Sequence, residues 1–234
     1  MKSKFLFFAL LTFAALSYGI YEGLVVAPTE QTMGDVQRIF YYHVPLAWTA
    51  FMCFFLNFGA SIAYLANRRP GADALALASG EVGVVLATAF LATGMLWAKP
   101  IWGIWWTWDA RLTSALALWL IYVSYLVLRR FSGNNPVLSA ALSIFGAVDV
   151  VFVYMAIRWF RTQHPQPVVA GGPDSGLDPR MFYALIVNVV AFHLLAGVLI
   201  YLRYRLERLR HTVEEAHAMQ SISEPDGRPV RSAR

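Results

Sequence analysis

Apolar residues fall in six long blocks, approximately 5–26, 44–66, 81–98, 112–128, 137–157 and 182–202. Each is close to the roughly 20 residues that an α-helix needs to cross the hydrocarbon of a bilayer. Polar residues and helix breakers separate them. NRRPGADA at 67–74 and RRFSGNNP at 129–136 are short turns with Pro and Gly, whereas the connections at 27–43, 99–111 and 158–181 are longer. Long connections in a compact protein tend to carry function. The pattern predicts an all-α integral membrane protein, a six-transmembrane helix bundle over residues 1–210, with no internal repeat and no second folded domain. Residues 211–234 read as a polar, disordered cytoplasmic tail in which His211 and His217 are simply solvated. The first block follows Met-Lys-Ser-Lys and continues past the length of a cleaved signal, without a clear A-x-A site before Tyr21, so it is read as a retained anchor.

Composition agrees with this reading: 58% of residues are hydrophobic and only 14% charged, outside the range of soluble domains. The net charge of +5 does not point to nucleic acid, because the cations sit in the connections. Placing the N-terminus inside puts Lys2, Lys4, Arg68, Arg69, Arg129, Arg130, Arg203, Arg205, Arg208 and Arg210 on one side. Arg38, Lys99, Arg111, Arg158, Arg161 and Arg180 fall on the other. Ten against six, with every tight basic cluster inside, predicts N-in and C-in by the excess of Lys and Arg on the cytoplasmic face. The three long connections then share the outer side. The single cysteine, Cys53, lies in an apolar run and reads as a small buried hydrophobe, and there is no CxxCH for covalent haem attachment.

One outer connection is unusual. KPIWGIWWTWDARLT at 99–113 holds four of the eight tryptophans, Trp102, Trp105, Trp106 and Trp108, directly before Asp109 and Arg111. If Pro100 opens a helix, Trp102, Trp105, Trp106 and Asp109 fall at i, i+3, i+4 and i+7 and share one face. That predicts an indole platform rather than a simple aromatic belt, which spreads over many helix ends. His43 and His164 are the two outer histidines in this topology, and both stand near helix ends, where they can converge on the platform. Arg111, Arg158 and Arg161, with Arg38 and Lys99 behind them, supply cations for an anionic ligand. Glu22, Glu81, Asp149 and His193 fall within membrane blocks, where ionisable groups are costly and count as functional candidates. Asp149 and His193 are deep, at comparable heights, and are expected to meet in a structural pair.

The run TGMLWAKPIWGIWWTWDARLT from Thr93 resembles the tryptophan-rich WWD signature of the haem-handling family of cytochrome c maturation, and most closely its CcmC branch. YYHVPLAW at 41–48, Glu81 opening a membrane block and WFRTQH at 159–164 extend the resemblance over most of residues 38–200. The chain departs from the family pattern in framing the second histidine as Gln163-His164-Pro165-Gln166. The resemblance implies haem b as the bound group, His43 and His164 as axial ligands of its iron, and the WWD segment as its bed. Trp102, Trp105, Trp106 and Trp108 would shape that bed, Asp109 would orient Arg111 or backbone donors, and Arg111, Arg158 and Arg161 would meet the propionates. It further implies a bacterial inner membrane, a periplasmic site, and as partners the haem chaperone CcmE, the ABC transporter subunits CcmA and CcmB, and the small membrane protein CcmD. No conventional catalytic constellation is present, and the resemblance implies at most a haem-lyase-like role in attaching haem to the chaperone. Two alternatives fare worse on residue inventory. A permease moving haem or another solute through the bundle needs a polar midplane path, and a b-type electron-transfer cytochrome needs paired histidines inside helices, where only His193 qualifies.

Overall fold

A computed structural model describes residues 2–131, 135–165, 167–169 and 176–223. The centre of the second inner turn, Gln166, most of the Pro- and Gly-rich part of the last outer connection and the end of the tail lie outside the described residues. Six helices follow one another: α1 (Lys2–Tyr21, prolonged by a π-turn over Glu22–Val26), α2 (Phe40–Asn67, entered through a 3-10 turn at Asp35–Ile39), α3 (Pro70–Trp102), α4 (Ala110–Phe131), α5 (Pro136–Trp159) and α6 (Pro179–Ser223). All six are long and apolar enough to cross a membrane.

Helix α2 is the hub, packed against α3, α5 and α6, while α4 fills the space between α3 and α5 and α1 rests on α6. Small residues make this close approach feasible, as expected where lipid removes the hydrophobic drive between helices. A Cβ on Gly83 would lie 2.6 Å from the Phe54 ring, and one on Gly146 would lie 2.7 Å from the ring of Tyr122. Those two aromatic rings stack at 3.7 Å in the centre of the bundle. Around them Asn57 donates to the Ala76 carbonyl at 2.6 Å and accepts from the Ser143 hydroxyl, joining α2, α3 and α5 in a buried, satisfied polar cluster. The outlying α1 is tied down by Asn188 Nδ2, which donates to the Gly19 carbonyl at 2.9 Å. Its other side carries exposed Leu6, Phe7 and Phe13, a lipid-facing surface.

Several boundaries differ from the sequence expectation, each for a physical reason. Helix α3 starts at Pro70, not near residue 81, because ADALALASG is a buried stretch of small residues with less apolar bulk than a typical membrane block. The first inner turn is therefore only Arg68, in the left-handed conformation at φ 55°, and Arg69. Helix α6 runs on through 211–223, where the polar composition reads as disorder; ion pairs such as Arg210–Glu214 at 2.8 Å support it. Asp149 and His193 do not meet. Both α5 and α6 pack on α2 rather than on each other, so His193 Nδ1 donates to the Val189 carbonyl at 2.8 Å beside the Thr49 hydroxyl, and Asp149 Oδ2 is buried without a hydrogen-bond partner among the described residues.

The end of the bundle with the two short turns, the one that the charge pattern leads one to expect inside, is held by charge. Arg129 clasps Asp73 through two bonds of 2.6 and 2.7 Å with both side chains buried, and Glu81 pairs with Arg203 across α3 and α6. Removing one partner of a buried pair strands the other charge, at a cost of about 3–5 kcal/mol. Arg129→Gln should accordingly lower the thermal midpoint of the detergent-purified protein sharply, and adding Asp73→Asn should recover part of the loss. Equal midpoints for the single and double variants would show that the pair does not bear on stability.

Candidate functional site

The tryptophan segment is not one helix. Pro100 lies in the last turn of α3, which stops at Trp102 because Gly103 takes up the left-handed conformation (φ 74°) and its amide donates to the Lys99 carbonyl at 3.0 Å. This is the glycine cap that ends many helices, and Lys99 Nζ adds a bond to the Gly103 carbonyl at 2.9 Å. Residues 104–109 then cross the outer end of the bundle without regular structure until α4 begins. The single face for Trp102, Trp105, Trp106 and Asp109 is thus replaced by a bend that turns the indoles around an opening.

Asp109 fastens that bend. Its Oδ1 accepts from the Leu112 amide at 2.9 Å, capping α4, while Oδ2 accepts from the Thr107 hydroxyl at 3.1 Å and from the Gln163 amide at 3.0 Å. The last bond draws the 158–181 connection across the tryptophan bend and sets His164 opposite α2. Arg111, one turn below, donates to the Val153 carbonyl of α5 at 2.9 Å.

Between these elements lie two adjoining cavities of about 220 and 580 Å³, a scale suited to a small-molecule or cofactor ligand. Trp102, Trp105 and Trp106 wall the smaller one, and His43, His164 and Arg111 face both. The remaining sequence candidates stand elsewhere. Trp108 is 76% exposed and meets Trp106 edge-on at 5.8 Å, Arg158 lies over the Tyr154 ring at 4.9 Å, and Arg161 is exposed. Arg38 is engaged with the carbonyls of Gly23 and Ala27, both at 3.1 Å, which pins the first outer connection. Sequence reasoning missed Trp97, Phe90, Phe51 and Met33, which also line the smaller cavity. Apolar residues in a membrane block give no signal of which face they occupy, although Trp97 shares a helix face with Gly94 and Ile101 at spacings of three and four.

The two imidazoles are held in defined states. The Thr93 hydroxyl has one proton, which it donates to the carbonyls of Ala89 and Phe90 at 2.9 and 3.0 Å. With its proton on those carbonyls the hydroxyl accepts from His43 Nδ1, 3.0 Å away, the arrangement in which Nδ1 carries the hydrogen. His43 is further fixed by Phe90 and Trp97, each with its ring centre 6.0 Å away, and by Gly94, where a Cβ would come within 3.0 Å of the imidazole. His164 Nδ1 lies 2.8 Å from the Pro165 carbonyl, which can only accept, so it too carries the hydrogen there. Both rings keep an Nε2 lone pair, the arrangement in which a neighbour bonded to one nitrogen prepares the other as a metal ligand. Burial, followed by the charge of Arg111, pushes the His164 pKa down to about 3, leaving the neutral ring that coordination requires.

Among the described residues no cluster of three or more His, Cys, Asp or Glu could hold a bare metal ion. Two imidazoles suit an iron whose other four positions are filled by a macrocycle. Aromatic walls suit the flat face of such a ring, and Arg111 suits its carboxylates. Two polar groups in the cavity walls have no partner among the described residues, the Trp106 indole N–H and the Gln37 side-chain amide oxygen. The residues present fit haem.

Comparison with known proteins gives the same direction. The family model described as Heme exporter protein C matches residues 1–219. The Heme exporter protein C of Bradyrhizobium diazoefficiens is 33% identical over 214 residues, covering 90% of this chain and 81% of the relative. That of Haemophilus influenzae is 32% identical over 207 residues, covering 87% and 84%. A ccmC-like mitochondrial protein of cytochrome c biosynthesis from Marchantia polymorpha is 28% identical over 186 residues, covering 80% of each chain.

The Thr93 hydroxyl is the most direct support of His43. Thr93→Val keeps the shape and removes the acceptor, and loss of such a support typically weakens metal binding about 10–100-fold. Titration of the purified protein with haem should show a loss of that order at an unchanged thermal midpoint; unchanged affinity would mean that Thr93 does not orient the ring.

Proposed function

The chain belongs to the Heme exporter protein C family, CcmC, of haem-handling membrane proteins in cytochrome c biogenesis, and from that premise we propose that it holds haem b at the periplasmic face of a bacterial inner membrane and delivers it to the haem chaperone CcmE. CcmA, CcmB and CcmD complete the assembly in this reading. The observation that carries it is the junction of the two cavities, where two imidazoles with free Nε2 atoms and one guanidinium converge beside the tryptophan bend.

The residues divide the work. Haem brings an iron with two open axial positions and two carboxylates. His43, on a helix and braced by Thr93, Phe90 and Trp97, would hold the iron as the fixed ligand. His164, on a connection secured to the bend through the Gln163–Asp109 bond, would be the releasable one. Arg111 retains guanidinium donors beyond the one given to Val153 and receives a propionate. Trp102, Trp105 and Trp106 cover the ring, while Trp108, Arg158 and Arg161 stand outside on the surface that a partner would approach. The middle of the bundle is filled by the Phe54–Tyr122 stack and the Asn57 cluster, which supports surface presentation over passage through the bundle. His193 has its Nδ1 spent on Val189 and stands apart from the cavities, which speaks against a haem held between helices.

Two measurements test this. Haem-loaded protein should give a six-coordinate, low-spin spectrum. His43→Ala and His164→Ala should each change it, the former with the greater loss of haem; if neither changed it, the ligand assignment would be wrong. Reporter fusions after Arg111 and after Arg210 should read opposite sides of the membrane, periplasmic and cytoplasmic respectively, and the same side for both would remove the outward-facing site.

A further inference from the structure

Eight residues line both cavities, and of these only His43, His164 and Met33 carry an atom that binds iron. Met33 does not belong to the tryptophan bend or to either histidine's element. It sits on the first outer connection, which the sequence marks only as long and polar. That connection is rigidly built around it. The Glu30 carboxylate accepts from the amides of Thr32, at 2.8 Å, and of Met33 itself. The Gly34 amide closes the turn onto the Glu30 carbonyl at 3.0 Å, with Gly34 at φ 59°. Arg38 ties the connection to the end of the π-turn through the carbonyls of Gly23 and Ala27. The backbone at Met33 is thus held by three bonds to Glu30, while its side chain, unbranched and free to rotate, reaches the wall shared by the two cavities.

A thioether is an established axial donor to haem iron, and together with histidine it gives a six-coordinate centre of higher reduction potential than two histidines. Resting on the haem-holding reading above, we propose that Met33 is a third, reserve donor, whose thioether would hold haem iron together with His43 when His164 is withdrawn. No redox change or bond to carbon is involved: a neutral thioether lone pair would stand in for a neutral imidazole lone pair.

The test uses the full-length protein, purified in detergent and loaded with haem b, in four forms: unaltered, Met33→Leu, His164→Ala, and the two substitutions combined. Leu for Met conserves volume, so folding is preserved, and this is checked by the thermal midpoint. The unaltered protein and Met33→Leu should share a low-spin bis-imidazole spectrum. His164→Ala should remain low-spin, gain the ferric near-infrared band of methionine ligation, and show a raised reduction potential. The combined variant should be high-spin without that band. A high-spin His164→Ala protein, or one whose spectrum is the same with and without Met33→Leu, overturns the proposal. Should His164→Ala not give folded protein, His164→Gln takes its place with the same outcomes. A failure of the haem-holding reading looks different, since the unaltered protein would then retain no haem.

Discussion

The outer half of this molecule depends on the Asp109 carboxylate. It ends the tryptophan bend by capping α4, ties Thr107 into that bend, and accepts the Gln163 amide that brings the last outer connection across the bundle. The bend, the start of α4 and a connection 54 residues further along the chain meet on two oxygens. Neither the bend nor the His164 connection has regular secondary structure to satisfy its own backbone, so both need such an external acceptor. An ionised acceptor also makes each bond stronger than a neutral one would be. Arg111, two residues on, then points from the start of α4 toward the cavities as a consequence of where Asp109 starts that helix.

The contrast between the two ends of the bundle follows from packing. Toward the inner side, glycines and alanines bring α2, α3 and α5 into contact, and two polar clusters close there, Asn57 with Ser143 and Ala76 and Asp73 with Arg129. Toward the outer side large aromatic residues replace the small ones, and helices that cannot approach leave the two cavities between them. Polar groups there are spread along the walls, with an indole N–H and an amide oxygen left without partners. A protein tolerates such orphans where a ligand completes them. The packed half keeps the helix ends in place, and the half with the cavities is the one proposed above to hold haem.

Much of this was legible in the sequence. The six blocks became six helices because apolar length alone is a strong signal in a membrane protein. The periodicity of Trp102, Trp105, Trp106 and Asp109 misled, because it assumed that Pro100 opens a helix. Two local signals pointed the other way: Gly103 as a helix stop, and Thr107-Trp-Asp109 as a start for α4. Helix α3 began earlier than hydropathy indicated because alanine and glycine pack well while contributing little to hydropathy. The supports of His43 were not legible at all, since Thr93, Phe90 and Trp97 become its neighbours only when α3 lies along α2. Met33 was equally hidden, a lone apolar residue in a polar connection.

In the haem-holding reading proposed above, holding and releasing a ligand make opposite demands on the same two imidazoles, and the rings have unequal anchors. His43 is braced by a hydrogen bond, two aromatic rings and a helix whose displacement would disrupt the core. His164 lies on a connection that meets the bend, among the described residues, through the bond from Gln163 to Asp109, and that packs further along through Val168, Val169 and Leu177. A hydrogen bond to a charged group contributes about 1.5–3 kcal/mol, so the His164 end of the connection is held to the bend far more lightly than a helix is held in the core. A partner that favours the detached form by a few kcal/mol would be enough to invert the populations, without disturbing α2, the tryptophan walls or the packed inner half. In that reading release would be confined to one loop, because the carboxylate that positions it belongs to a different element from the imidazole that stays.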